Sequence, residues 1–199
     1  MQTIFQTVGV VGTGAMGQGI AQIAAQAGSL VKLYDLQPEA VAKASKNIQQ
    51  QWDKLLEKNR FTAEQVTKFK ANLQSAKQLS DLSDCDLVIE AIVERLDIKK
   101  SFFDQLPTQA FALVNLDDKN GAVMIQNTRA KKYGYALKTV ADYKARIIEN
   151  QFNGLFLNID GNEIWTKLIG SFNAYNLLAI YAVTDLLGMD KLENLRILS

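Results

Sequence analysis

In the first half of the chain, short β-branched runs alternate with longer stretches whose apolar residues recur every three or four positions, as buried strands and amphipathic helices require. Val8, Val10 and Val11, bounded by Gly12, predict a buried parallel strand over 8–11. The Ala- and Ile-rich stretch 15–27 predicts a helix, and Gly28 suits a left-handed cap at its end. Residues 30–34 predict a second strand that ends on Asp35. Pro38 fits the first turn of a helix to about 58, and Thr62 with Gln65 is a capping-box signature opening another to about 76. Residues 87–91 (Leu-Val-Ile-Glu-Ala) predict a third buried strand. A helix over 97–106 precedes Pro107, and a strand over 111–114 ends near Asp117 and Asp118.

The pattern then changes. Strands are predicted at 133–137 and 145–149, and those at 155–159 and 164–168 flank Asp160-Gly161, the chemistry of a tight hairpin turn. An apolar helix over 173–187 is closed by Gly188, and 191–198 forms a short last helix. The fold class is therefore α/β: a Rossmann-like parallel sheet with flanking helices, then an antiparallel meander and helices in the C-terminal half. Two domains are expected, a dinucleotide-binding half-domain over 1–106 and a second fragment over 107–199. The open edge of the first half-sheet needs further strands, and 111–114 could supply the next one; one continuous sheet and two separate lobes both fit the sequence.

Composition narrows the chemistry. The 199 residues suffice for one domain or slightly more, and 22 basic against 21 acidic side chains argue against a nucleic-acid surface. The pairs Lys99-Lys100 and Lys131-Lys132 fit solvated faces. Cys85 is the single cysteine, and its neighbours Asp84 and Asp86 disfavour a thiolate, so neither a disulfide nor a metal site is expected. No apolar run is long enough to cross a bilayer and no signal pattern opens the chain, so the expectation is a cytoplasmic protein without a membrane partner. The chain has no histidine, which removes the commonest acid/base at neutral pH.

Gly12-Thr13-Gly14-Ala15-Met16-Gly17 matches G-x-G-x-x-G between a predicted strand and a predicted helix. The first glycine permits the tight turn, the second lets a pyrophosphate approach the backbone, and the third lets helix and strand pack closely. The helix N-terminus faces the phosphates. Asp35 can accept hydrogen bonds from both adenosine ribose hydroxyls and would repel a 2′-phosphate, so the expected cofactor is NAD. The bland alternatives are a turn kept for packing and an acid that merely ends a strand.

These residues, with Val-Lys-Leu-Tyr-Asp at 31–35 and Asp-Leu-Val-Ile-Glu-Ala-Ile-Val-Glu at 86–94, resemble the NAD-binding domain of the 3-hydroxyacyl-CoA dehydrogenase family. The helical excursion between the second and third strands is also typical of it. The resemblance implies that Gly12, Gly14, Ala15, Met16, Gly17 and Asp35 bind the cofactor. Ala91, Ile92, Glu94 and Lys99 would lie along it, Glu94 and Lys99 near the ribose and nicotinamide end. Lys58 falls where the family meets coenzyme A, and on sequence alone is equally an ordinary surface charge. The family's reaction uses a His–Glu pair, a Ser/Asn-rich strand end and a helical substrate domain, none of which this sequence supplies, so no catalytic residue is assigned.

The remainder resembles the Mur ligases of the muramyl-tripeptide synthetase type. Lys-Lys-Ser-Phe-Phe-Asp-Gln-Leu-Pro at 99–107, Ala-Phe-Ala-Leu-Val-Asn-Leu-Asp-Asp-Lys-Asn-Gly at 110–121 and Gly-Ser-Phe-Asn-Ala-Tyr-Asn-Leu-Leu-Ala at 170–179 carry it. It implies that Asn173 and Asn176 lie near an ATP site, whereas the simpler role is a helix cap. No phosphate loop of the G-x-x-x-x-G-K-[ST] kind is present, and the ligases' His/Asp segment and C-terminal domain are missing. Both families place a helix with a lysine at 97–103; Lys99 is a cofactor-side lysine in one and a carbamylated, metal-associated lysine in the other. Two fragments meeting where their sequences agree point to an engineered or recombined chimera. The function expected is non-catalytic NAD or ADP-ribose binding; a truncated dehydrogenase and a ligand-free structural chimera are the alternatives. Unpaired edges left by the splice leave room for a homodimer.

Overall fold

The computed structural model describes residues 5–92 and 95–199 and divides into two compact units, Met1–Arg95 and Leu96–Ser199. Helix 97–106, taken above with the first half, groups with the second unit.

In the first unit β1 (Thr7–Val11), α1 (Ala15–Ala27), β2 (Leu30–Tyr34), α2 (Pro38–Glu57), α3 (Ala63–Ala71), β3 (Leu73–Ser75) and β4 (Leu87–Glu90) follow one another, with a short 3₁₀ turn at Leu79–Leu82. The sheet is parallel throughout, in the order β3-β2-β1-β4. Because side chains alternate along a strand, Val8 and Val10 of β1 and Val31 and Leu33 of β2 share one face. There they pack with Ala21 and Ala25 of α1, Ile48 and Trp52 of α2, and Val66 and Phe69 of α3. Trp52 is fully buried, its ring centroid 5.8 Å from that of Phe69. The small residues of α1 let it lie close to the sheet. Its end is a Schellman cap: Gly28, at φ 103°, donates to Ala25 O at 3.2 Å, and Ser29 donates to Ala24 O at 3.1 Å.

The helix expected to reach about 76 stops at Ala71. Its start is as anticipated, with Thr62 and Gln65 bonded reciprocally. Its end is set by β2, whose outer edge would otherwise leave backbone groups unpaired. Val31 N–H donates to Asn72 O at 2.7 Å, and 73–75 is drawn into the sheet as a short edge strand.

The second unit contains α4 (Leu96–Asp104), β5 (Phe111–Asn115), α5 (Gly121–Met124), β6 (Lys131–Ala136), β7 (Tyr143–Gln151), β8 (Gly154–Ile159), β9 (Asn162–Thr166), α6 (Ser171–Leu186) and α7 (Lys191–Leu198). Its sheet runs β5-β6-β7-β8-β9. Of the two arrangements the sequence leaves open for strand 111–114, the pairing is within the second sheet: β5 pairs in parallel with β6 over five positions, Phe111↔Lys131 to Asn115↔Tyr135.

The meander proper is β7-β8-β9, antiparallel and turning at Asp160 and Gly161, whose φ of 47° and 88° are both left-handed, as a tight hairpin turn requires. By contrast β6 joins β7 in parallel, through Tyr135↔Tyr143 and Ala136↔Lys144 alone. Parallel neighbours normally need a long crossover. Here the overlap is so short that loop 137–142 suffices, and one carboxylate stitches it down. Asp117 Oδ2 accepts from the N–H groups of Leu137 (2.7 Å) and Lys138 (2.9 Å) and from Tyr175 Oη (2.9 Å); Oδ1 accepts from Thr139 N–H (2.8 Å) and Oγ1 (2.6 Å). The core of this unit packs Leu155, Leu157, Ile159 and Ile164 against Ala174, Leu177, Leu178 and Tyr181 of α6.

Candidate functional site

The chain moves from β1 through α1 to β2 on one side and returns to β4 on the other. The carboxyl ends of β1 and β4 therefore lie at a switch point of strand order, where open α/β sheets place their ligands. The glycine turn occupies this point, and its three glycines meet different surroundings. Gly12, at φ 99°, donates its N–H to Tyr34 O at 2.8 Å, and a Cβ there would lie 2.6 Å from Ala91 O and 2.8 Å from Ile92 N. Gly17 is buried, and a Cβ would fall on the Gly12 carbonyl oxygen. Gly14 has open space instead: nothing lies within 4 Å of where its Cβ would be. It is exposed and precedes the first helical residue of α1 with ordinary extended angles (φ −64°, ψ −175°), without a side-chain cap. Two glycines thus serve the fold, and the one at the helix mouth leaves room for a ligand.

The direction of the turn's amides is also fixed. Gln18 Nε2 donates to Thr13 O at 2.9 Å, and Asn47 Nδ2 steadies Gln18 Oε1 at 3.3 Å. In a trans peptide N–H and C=O point oppositely, so the Gly14 N–H is turned away from Gln18. The first intrahelical bond runs from Gln18 N–H to Gly14 O. The amides before it have no partner within the helix and carry the positive end of the helix dipole.

Asp35 closes β2 beside this turn. Its Oδ2 accepts from both the N–H and the Oγ1 of Thr13, each at 2.8 Å, and its Oδ1 accepts from Gln37 N–H at 3.2 Å. Thr13 is only 5 % exposed, a buried polar residue that the glycine pattern passes over as a wild card. Sequence reasoning missed it, and a polar residue between two glycines, with an acid expected opposite, was the available signal. Met16 (73 % exposed) and Leu36 (59 %) add apolar surface next to the turn and the acid.

The structure thus brings Gly12, Gly14, Ala15, Met16, Gly17, Asp35, Ala91 and Ile92 together in the first unit. Glu94 lies outside the described residues. Lys99 lies on α4, in the second unit. Lys58 follows the end of α2 and is exposed. Burial pushes the Cys85 thiol up to about 11; Lys32 opposes this, and Asp84 and Asp86 add to it.

In the second unit the helix-cap role considered for Asn173 is not observed. Gly170, at φ 89°, turns the chain into α6, which begins at Ser171, two residues earlier than expected, so Asn173 lies in the first turn. Its Nδ2 donates to Ile169 O at 2.8 Å, and Asn176 Nδ2 reaches Asn173 Oδ1 at 3.4 Å. Burial pushes the Asp117 carboxyl up. The Thr139 hydroxyl and the amides of residues 138, 137 and 139 outweigh it and hold the group well below the usual carboxylate range.

A parallel βαβ unit with a glycine turn at the switch point and an acid at the end of β2 defines a dinucleotide-binding fold. Residues 7–115, more than half of the chain, match the family "3-hydroxyacyl-CoA dehydrogenase, NAD binding domain", and the chain belongs to that family. Residues 89–184 match a second family, "Mur ligase middle domain", so 89–115 is common to both matches. The 3-hydroxyadipyl-CoA dehydrogenase of Escherichia coli is 41% identical over 101 residues, 51% of this chain and 21% of that protein. The UDP-N-acetylmuramoyl-L-alanyl-D-glutamate–2,6-diaminopimelate ligase of Cytophaga hutchinsonii is 56% identical over 106 residues, 53% of this chain and 22% of the ligase. This chain therefore spans about a fifth of either relative. Among solved structures, 3-hydroxybutyryl-CoA dehydrogenase from Escherichia coli K12 superposes with a TM-score of 0.56 at 34% identity, covering 67% of this chain and 30% of that one. The corresponding enzyme from Ralstonia eutropha gives 0.56 at 27% identity, over 66% of this chain and 49% of its own.

Proposed function

We propose that this chain is a recombined hybrid, an NAD-binding half-domain followed by a Mur-ligase fragment, that holds NAD in its first unit and performs no hydride transfer by itself. The observation that carries this is the contrast within the glycine turn: Gly12 and Gly17 are closed in by backbone, while Gly14 faces open space at the amino end of a 13-residue helix. The amides of that helix end would hold the pyrophosphate, Asp35 would meet the adenosine ribose, and Ala91 with Ile92 would border the path toward nicotinamide. Bound NAD supplies a hydride acceptor. A 3-hydroxyacyl substrate also needs a base for its hydroxyl proton, and the 199 residues contain no imidazole for that step.

The adenosine-pyrophosphate end dominates binding, so NAD and ADP-ribose bind alike and NADP binds more weakly. The carboxylate of Asp35 repels a 2′-phosphate. The cytoplasm, where NAD is available, is the compartment this reading assigns. The recombination rests on two unrelated families matching opposite ends of the chain and overlapping at 89–115.

Calorimetric titration of the full chain with NAD, NADP and ADP-ribose tests the binding. Gly14→Val fits the extended backbone and the open space, so it should keep the melting temperature and lose NAD affinity by tenfold or more, a loss of at least about 1.4 kcal/mol. Undiminished affinity in that variant, or no heat from any nucleotide, overturns the proposal. NADH formation from 3-hydroxybutyryl-CoA would overturn its non-catalytic part.

A further inference from the structure

The hydrogen bonds of Asp35 limit what it can offer a ribose, given the NAD binding proposed for this unit. A carboxylate offers about four acceptor positions, two on each oxygen. On Asp35, Thr13 fills both positions of Oδ2, one with its backbone N–H and one with its hydroxyl, each at 2.8 Å. Gln37 N–H takes one position on Oδ1 at 3.2 Å. A single position on Oδ1 is left. Thr13 itself is held at a third point, its carbonyl accepting from Gln18, so its hydroxyl is delivered to Oδ2 by a fixed backbone.

We infer that Thr13 is a positioning residue that makes Asp35 read one hydroxyl of the adenosine ribose rather than two. Thr13 saturates Oδ2 and turns Oδ1 toward the ligand. The pairing of Asp35 with both ribose hydroxyls, anticipated from the sequence, is thereby reduced to one. The acid still excludes a 2′-phosphate by its charge, while the second hydroxyl contributes little to affinity.

The test compares NAD with its analogues lacking the 2′- or the 3′-hydroxyl on the adenosine ribose, titrated calorimetrically into the full chain. In the unmodified protein one analogue should lose about tenfold in affinity, as expected for a hydrogen bond to a charged acceptor, and the other should bind within about twofold of NAD. Thr13→Val keeps the shape and the backbone N–H but frees one position on Oδ2, so the formerly silent analogue should now also fall behind NAD. Thr13→Ser should restore the original pattern, which a purely structural role for the residue would not require. Equal losses for both analogues in the unmodified protein overturn the inference while leaving NAD binding intact, and that comparison needs no variant to fold. An unchanged pattern in Thr13→Val also overturns it. Absence of NAD binding altogether removes the cofactor proposal and this inference with it.

Discussion

At the scale of single residues, the three glycines of one hexapeptide answer to different forces. Gly12 combines a left-handed φ of 99° with a backbone neighbour 2.6 Å from any added Cβ, so two independent penalties meet there. Gly12→Ala should lower the melting temperature of the first unit by several degrees or prevent its folding, through a loss of order 2–4 kcal/mol. Thermal unfolding followed by circular dichroism would show it; a melting temperature within one degree of the parent would contradict the assignment. Gly14 carries neither penalty, so a substitution there tests nucleotide binding with little change in stability.

At the scale of elements, Asp117 does for β6 and β7 what a crossover helix does in longer connections. With four donors from loop 137–142 and one from α6 on a single carboxylate, Asp117→Ala strands several amides at once. A cost on the order of 3 kcal/mol to the second unit follows. The folded-state pKa lies below the unfolded value near 3.9, so the contribution is fully present above that value and is lost as pH falls through the folded pKa. Acid titrations of stability should show the parent losing its advantage over Asp117→Ala below about pH 4. A difference that is constant across pH would refute the role of the charge.

Most elements were legible in the sequence because each carries its own local signal. Thr62 with Gln65 marks a helix start, Gly28 and Gly188 mark helix ends, and Asp160-Gly161 marks a hairpin. Strand β3 was not legible, because three residues hold no period and their state is decided by the free edge of β2. The parallel docking of β6 on β7 was hidden likewise, since the carboxylate that permits it lies 20 positions before its first loop partner. In the candidate site, the glycine turn at the start of α1 and Asp35 at the end of β2 lie where the sequence pattern puts them. Thr13 was not legible, because its role appears only once Asp35 is folded against it.

At the scale of the whole molecule, each of the two units has its own sheet and its own buried cluster: Trp52, Ile48 and Leu33 in the first, Leu155, Leu157 and Tyr181 in the second. The stretch 89–115, shared by both matches, spans the division at Arg95 and Leu96. Ligand binding stabilises what it touches, by mass action. Saturating NAD should therefore slow amide hydrogen exchange in β1, the glycine turn and the start of α1, and leave β8 and β9 unchanged. Protection confined to β8 and β9 would place the nucleotide site in the ligase-like unit.

The open space at Gly14 means that folding places no demand on that position, unlike positions 12 and 17. A lineage that stopped needing a dinucleotide would still be held to glycine at positions 12 and 17 by folding, but position 14 would be free to drift to any residue. If the turn holds the nucleotide proposed for it, then among related sequences a side chain at 14 between two retained glycines would date the loss of that ligand, and an unaltered triplet would mark a site still under selection.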